Sequence, residues 1–311
     1  MDRLATVARR LIAVVGPTAS GKSDLALRLA REHGGEIISC DSLQVYRGLD
    51  IGSAKPSIRE RREIPHHLVD VVEPDQPFSA VDYARLGRRA AGEIAGRGRL
   101  VIVAGGTGLY LRALLTGLFE GPSSDAALRS RLEGLADRHG EERLHRVLAR
   151  ADPASARRIP PRDRVRVIRA LEVLRATGRP MSVHHAAPPA ALEGFAVLTL
   201  GIAPDRGALR ERVEGRTAAM FAMGLLEEVR GLLGRGYSAD LRPLRAIGYR
   251  QAVAVVGGEM DVAAARHDIV TDTMQYAKRQ MTWFQHQSGA VWRPDAEKAY
   301  AVAEAWLEET G

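Results

Sequence analysis

Apolar residues along this chain alternate between two rhythms. Leu11–Val15 and Leu100–Ala104 are short unbroken apolar runs, and Glu36–Cys40 reads as a further strand ending at Asp41. Pro65–Val72 is expected to hold another. Between them the spacing turns helical. Ser23–His33 places Leu25, Leu27, Leu29 and Ala30 among its apolar positions, and Ala80–Arg97 repeats Ala, Leu and Ile at helical intervals. Strands alternating with helices predict a parallel sheet with helices on both faces. Ligands of such sheets bind beyond the carboxyl ends of the strands. The loops after Val15, Cys40 and Ala104 are therefore expected to gather on one edge.

The rhythm changes after about Thr116. Gly121–Ala190 reads as helices punctuated by Pro153, Pro160–Pro161 and Pro188–Pro189. Val197–Ile202 resembles a return strand, Asp205–Gly234 is expected to be helical, and Asp261–Gln287 reads as a long C-terminal helix. The fold class expected is α/β: a P-loop NTPase-like parallel sheet core flanked by helices, with a helical insertion domain. The core is assigned to residues 1–118 and 196–311, and the insertion to 119–195.

Composition adds bounds. The chain has 311 residues, 45% hydrophobic and 27% charged, which is ordinary for a globular protein. No apolar run approaches the ~20 residues of a membrane helix, and Leu11–Val15 is too short for a secretory core. A cytoplasmic, membrane-independent protein is expected. One cysteine, Cys40, leaves no internal disulfide framework and no cysteine-based zinc site.

Charge changes the picture more. The net charge is +7, and Gly121–Ala190 holds 14 Arg and no Lys against 8 Asp and Glu. That excess reads either as solvated helix faces or as a polyanion-binding lobe. Only four lysines (Lys22, Lys55, Lys278, Lys298) stand against 41 arginines. Lysine is thus the unusual choice for a cation here, so a lysine in the P-loop position is less readily chance.

Lys22 holds that position. Gly16, Pro17, Thr18, Ala19, Ser20, Gly21, Lys22 and Ser23 fit G-x-x-x-x-G-K-[ST] between a strand and a helix. Backbone amides and the helix N-terminus make an anion nest there. Lys22 adds a point charge, and the Ser23 hydroxyl can ligate Mg²⁺. A nucleotide-using P-loop enzyme usually carries an acidic residue at a core strand end to help hold that ion. "LVIVAGGTGLY" offers none.

Asp41 is the acidic group nearest the loop edge, readable as a turn or cap residue, a metal ligand or a general base. Thr107 either caps the following helix or hydrogen-bonds a phosphate or leaving-group oxygen. Cys40 reads as a small core residue. His66 and His67 point to opposite faces of a strand, which disfavours a joint site. In Arg162–Val173, helical spacing puts Arg162, Arg166 and Arg169 on one face and Val165, Ile168 and Leu171 on another. Gln275–Gln287 mixes Lys278 and Arg279 with Trp283 and Phe284, which are read as core.

Taken in order, "GPTASGKS", "DSLQVYRGLDIGSAKP", "PHHLVD", "GGTGLYLRALL", "RALEV", "AIGYRQ" and "AKRQMTWF" resemble the bacterial tRNA dimethylallyltransferase family over nearly the whole chain. The resemblance implies transfer of a dimethylallyl group from dimethylallyl diphosphate to N6 of the adenosine 3′ of the anticodon, with the base flipped out. It implies that the P-loop holds the diphosphate and that the insertion grips the anticodon stem-loop. Asp41 would be the general base and Thr107 would contact the bridging oxygen or nearby tRNA. Lys22, Mg²⁺ and Arg212 or Arg216 would stabilise the departing diphosphate. Ser42, Leu43 and Gln44 would shape the base pocket. Arg129, Val165, Arg166, Val167, Ile168, Arg169, Lys278 and Arg279 would touch tRNA. A monomer is implied.

Arg162 and Ser53 depart from the family's usual residues, and with one cysteine the zinc finger of eukaryotic relatives is not expected. Alternatives are a P-loop kinase with an arginine-rich lid, an isopentenyltransferase acting on free AMP or ATP, and a binding-only protein. The missing acidic strand end weighs against the first, the basic insertion against the second, and the full set of Lys22, Ser23, Asp41 and Thr107 against the third.

Overall fold

The computed structural model describes residues 9–119, 121–122, 125–186 and 190–310. Pro188–Pro189, read above as punctuation, lie outside them. The chain divides into two compact units, one of residues 117–190 and one formed by the chain on either side.

In the first part of the larger unit, strands β1 (Arg9–Val15), β2 (Glu36–Ser39), β3 (His66–His67) and β4 (Val101–Gly105) alternate with helices α1 (Lys22–Glu32), α2 (Ile58–Glu63), α3 (Ala80–Gly96) and α4 (Gly108–Leu115). The second unit holds α5 (Ala126–His139), α6 (Glu141–Ala151), α7 (Pro153–Arg158), α8 (Arg164–Thr177) and α9 (Met181–His184). The chain then returns through β5 (Phe195–Ile202), α10 (Arg206–Ala222), α11 (Leu225–Gly234), α12 (Tyr249–Val256), α13 (Val262–Gln287), β6 (Val291–Arg293) and α14 (Ala296–Glu309).

The six strands of the described residues pair in parallel, in the order β3-β2-β4-β1-β5-β6. Period-two alternation on β1 explains the layers. Leu11, Ala13 and Val15 face one core with residues of α3, α4, α11, α12 and α13. Ile12 and Val14 face another, covered by α1 and α14. A strand buried on both faces has no polar side to show, hence the unbroken run.

Two expectations are corrected and two take sharper bounds. Pro65–Val72 holds the expected strand, limited to two residues because Leu68 and Asp70 take left-handed backbone (φ 62 and 56) that no strand continues through. Asp205–Gly234 is two helices, divided at a left-handed Gly224 with φ 98. The compact helical unit covers 117–190, against the 119–195 expected for the insertion. Arg162 precedes α8, and Val165 is 74% exposed while Ile168 and Leu171 are buried, so Val165 does not join the packing face.

Candidate active site

The register levels three strand ends. Val15 pairs with Gly105, Ser39 with Ala104, and the Cys40 amide donates to Ala104 O at 2.8 Å. Gly16, Asp41 and Gly106 therefore leave the sheet side by side. Gly105 permits this closeness, since a Cβ there would stand 2.1 Å from the Cys40 carbonyl oxygen. The three loops line one cavity of about 930 Å³ with residues of α10, α13 and the Arg242–Gly248 segment.

On one side lies the P-loop. Lys22 is 9% exposed, and its ammonium donates to Pro17 O at 2.5 Å. Burial, with the Arg216 charge beside it, lowers its pKa to about 7 against the opposing pull of Asp41. Two arginines of α10, one helical turn apart, meet this loop. Arg216 donates to Thr18 Oγ1 at 3.0 Å and Arg212 to Ser20 O at 3.4 Å. Burial also lowers the Arg216 pKa, opposed by Asp41. The Ser20 hydroxyl is buried without a partner among the described residues. A buried nest with this much unneutralised positive charge calls for an anion.

On the other side stands Asp41. Its Oδ1 accepts from the Leu43 amide at 2.8 Å and the Gln44 amide at 3.4 Å. Among the described residues the other carboxylate oxygen has no hydrogen-bond partner, and Asp41 lines the cavity. Thr107 precedes α4 but makes no side-chain cap; its Oγ1 instead accepts from the Ser42 amide at 3.1 Å. Its own O–H is thereby free to donate. The Gln44 amide is consumed within its loop, accepting from Ser39 Oγ at 2.7 Å and donating to Ser53 O and Ala54 O. It shapes the loop and has little left for reading a ligand. Cys40 is 2% exposed, and burial pushes its thiol up to about 12, which makes it a packing residue.

Among the described residues no three His, Cys, Asp or Glu side chains gather as a metal cage. His67 bonds Glu36 and His66 bonds Ile64 O, so each histidine has its own partner. Exposed Ser23 lines the cavity at the start of α1. One hydroxyl beside an anion nest fits Mg²⁺ carried in by phosphate oxygens and water. No helix among the described residues is long and apolar enough to cross a membrane.

Against known families, residues 44–287 match the one described as IPP transferase, and residues 9–68 match isopentenyl transferase. The chain belongs to the IPP transferase family. A tRNA dimethylallyltransferase of Geobacter metallireducens is 51% identical over 91% of this chain and 92% of its own length. That of Solibacter usitatus is 47% identical over 96% and 97%. The solved tRNA isopentenylpyrophosphate transferase of Bacillus halodurans has a TM-score of 0.70 at 34% identity, covering 97% of this chain and 96% of that one. A eukaryotic dimethylallyltransferase acting on tRNA shares the fold, with a TM-score of 0.78 at 24% identity over 97% of this chain and 80% of that one.

In this member of the IPP transferase family the residues singled out in the insertion do not act alike. Arg129 is bound to Glu172, and Arg169 donates to Pro122 O at 2.9 Å. Val167 and Ile168 are 1% and 2% exposed inside the helical unit, so their side chains cannot reach a partner. Val165 and Arg166 face outward. Lys278 and Arg279 are exposed on α13.

Sequence reasoning missed Glu228, Lys55 and Gln280. Glu228 accepts from the amides of Asp50, Ile51 and Gly52 and from Tyr249 OH, fixing the loop that follows Asp41. Lys55 donates to Tyr46 O, Asp50 and Asp70, with its side chain 1% exposed. The rarity of lysine was its one available signal.

Proposed function

We propose that this chain transfers a dimethylallyl group from dimethylallyl diphosphate to N6 of the tRNA adenosine immediately 3′ of the anticodon, releasing diphosphate. The observation that carries this is a phosphate nest and a half-free carboxylate facing one cavity, with no acidic group at the end of β4. A kinase needs the γ-phosphate held and polarised; this arrangement instead offers a cradle for a leaving group and a base for an incoming amine. The family's named relatives support the same reading.

Each residue then has a chemical task. The P-loop amides, Lys22, Arg212 and Arg216 neutralise the charge that grows on the diphosphate as the allylic C–O bond breaks. Mg²⁺, held by Ser23 and phosphate oxygens, would add charge neutralisation there. The Thr107 O–H donates to the bridging oxygen. Asp41 accepts the N6 proton as the C–N bond forms. Val213, Met220, Ile269 and Tyr276 line the cavity and offer an apolar wall to the hydrocarbon tail. Ser42 and Leu43 shape the base pocket. Arg166, Val165, Lys278 and Arg279 meet tRNA. One chain supplies every residue of the site, so we read the working form as a monomer.

The test incubates the chain with Mg²⁺, labelled dimethylallyl diphosphate and unmodified tRNA. Label is expected on the adenosine 3′ of the anticodon. Label that stays off the tRNA while added ATP is consumed would return the P-loop to a kinase.

A further inference from the structure

Gln280 is 7% exposed, although its neighbours Lys278 and Arg279 on α13 face solvent. Its amide oxygen accepts from the Thr18 amide at 3.0 Å, and its amide nitrogen donates to Gly106 O at 2.8 Å. Thr18 belongs to the P-loop. Gly106 directly precedes Thr107, whose hydroxyl holds the Ser42 amide beside Asp41. One buried amide thus joins the cradle side of the cavity to the base side.

We propose that Gln280 is a positioning residue that sets the distance and angle between the diphosphate cradle and the Asp41–Thr107 side. The inference rests on the prenyl-transfer reading. In that reaction the allylic C1–O bond breaks, with its electron pair going to diphosphate. The N6 lone pair makes the C1–N bond, and the N6 proton goes to Asp41. Breaking C1–O needs the cradle alone, whereas capture by N6 needs the two sides in register. A cradle that drifts from the base side still ionises the donor, and water takes the carbocation. Water oxygen then bonds to C1, its proton goes to solvent, and dimethylallyl alcohol and diphosphate leave. Gln280 therefore acts on coupling more than on donor binding.

Two independent variants address the same bond. Gln280→Met keeps the bulk and removes the hydrogen bonds to Thr18 and Gly106, along with the amide's interaction with the Tyr276 hydroxyl. Gly106→Ala changes no residue of α13, yet its Cβ would stand 2.3 Å from Gln280 Nε2 and push the amide off Gly106 O. Full-length protein is incubated with Mg²⁺, labelled dimethylallyl diphosphate and unmodified tRNA, and both released diphosphate and prenylated adenosine are counted. Wild type is expected to give them one to one. Each variant is expected to raise the ratio of diphosphate to prenylated adenosine about tenfold or more, with donor KM unchanged, because small misplacements cost large factors in rate. The double variant is expected to be no worse than Gln280→Met, since the contact that Gly106→Ala breaks is one of those Gln280→Met already removes. Folded variants that still give one-to-one products overturn the proposal. Should Gln280→Met fail to fold, Gly106→Ala alone decides. A wild-type chain that makes no prenylated adenosine overturns the transfer reading itself, and this inference with it.

Discussion

Arg129 forks onto Glu172 through two hydrogen bonds, Nε to Oε1 at 3.0 Å and Nη2 to Oε2 at 2.8 Å. The Glu172 side chain is 2% exposed, and the Arg169 guanidinium lies 3.7 Å from it. The pair ties α5 to α8 inside the helical unit. Removing Arg129 takes two charge-assisted hydrogen bonds from a buried carboxylate, which costs more than the pair itself contributes. Arg129→Ala is expected to lower stability by about 3 kcal/mol or somewhat less, because Arg169 stays close. Denaturant unfolding measures this, and a change within error would show the pair to be ornamental.

Asp41→Asn is the cleanest test of the base. Asparagine keeps an oxygen for the Leu43 and Gln44 amides, so the turn survives. Only the proton acceptor goes. Prenyl transfer is expected to fall by at least ~10²-fold with tRNA and donor affinities little changed. Single-turnover kinetics read the first and equilibrium binding the second. Near-wild-type turnover would remove Asp41 from the chemistry.

The sheet and the cradle were legible because their signals are local. Leu11–Val15 declares a strand buried on both faces, and eight consecutive residues declare the nest. Asp41 and Thr107 were legible because they follow strands whose ends the sheet must level. Gln280 was not. Its amide serves partners 262 and 174 residues away, and nothing in "KRQMTW" distinguishes it from a solvated position. Leu68 and Asp70 were missed for a related reason. Their left-handed backbone is imposed by tertiary context, as when Asp70 meets both Lys55 and Arg61, and overrides the local preference for a strand.

Glu228 organises the loop after Asp41 by accepting from three backbone amides and one phenol. Glu228→Gln puts an NH₂ group where two of these donors point. Unsatisfied buried donors cost about 1–3 kcal/mol, so a loss of that order is expected. Amide hydrogen exchange at Asp50, Ile51 and Gly52 is expected to accelerate more than at strand residues such as Ile12. Unchanged exchange there would mean that the loop holds itself.

Asp152 gives the helical unit a pH signature. Burial pushes its carboxyl up, but hydrogen bonds from Ser155 and Ser182 prevail and hold it at about 2, below its ordinary 3.8. A carboxylate depressed in the folded state adds stability that is full above the unfolded pKa and lost as pH falls through the folded one. The side chain is nearly inaccessible, and the contribution is about 2 kcal/mol. The stability gap between wild type and Asp152→Asn is therefore expected to be constant above pH 5 and to shrink between pH 4 and pH 2. A gap independent of pH would show that the hydrogen bonds do not depend on charge.

Arg166 and Ile168 stand two residues apart on α8 and are expected to fail in opposite ways. The Arg166 side chain is 67% exposed, and its pairing with Asp163 at 3.3 Å is of the exposed kind that stabilises little. Ile168 is 2% exposed within the unit's own core. Arg166→Gln should leave stability unchanged, weaken tRNA binding, and reduce the slope of log K against log salt by about 1, the signature of one lost phosphate contact. Ile168→Ala should cost about 2–5 kcal/mol of stability through the cavity it leaves, with no change of slope under conditions where the unit stays folded. Titrations of tRNA at several salt concentrations, with unfolding curves for both variants, separate the two effects. An unchanged slope in Arg166→Gln would place the phosphate contact elsewhere on the insertion. A reduced slope in Ile168→Ala would mean that the packing face reaches RNA after all.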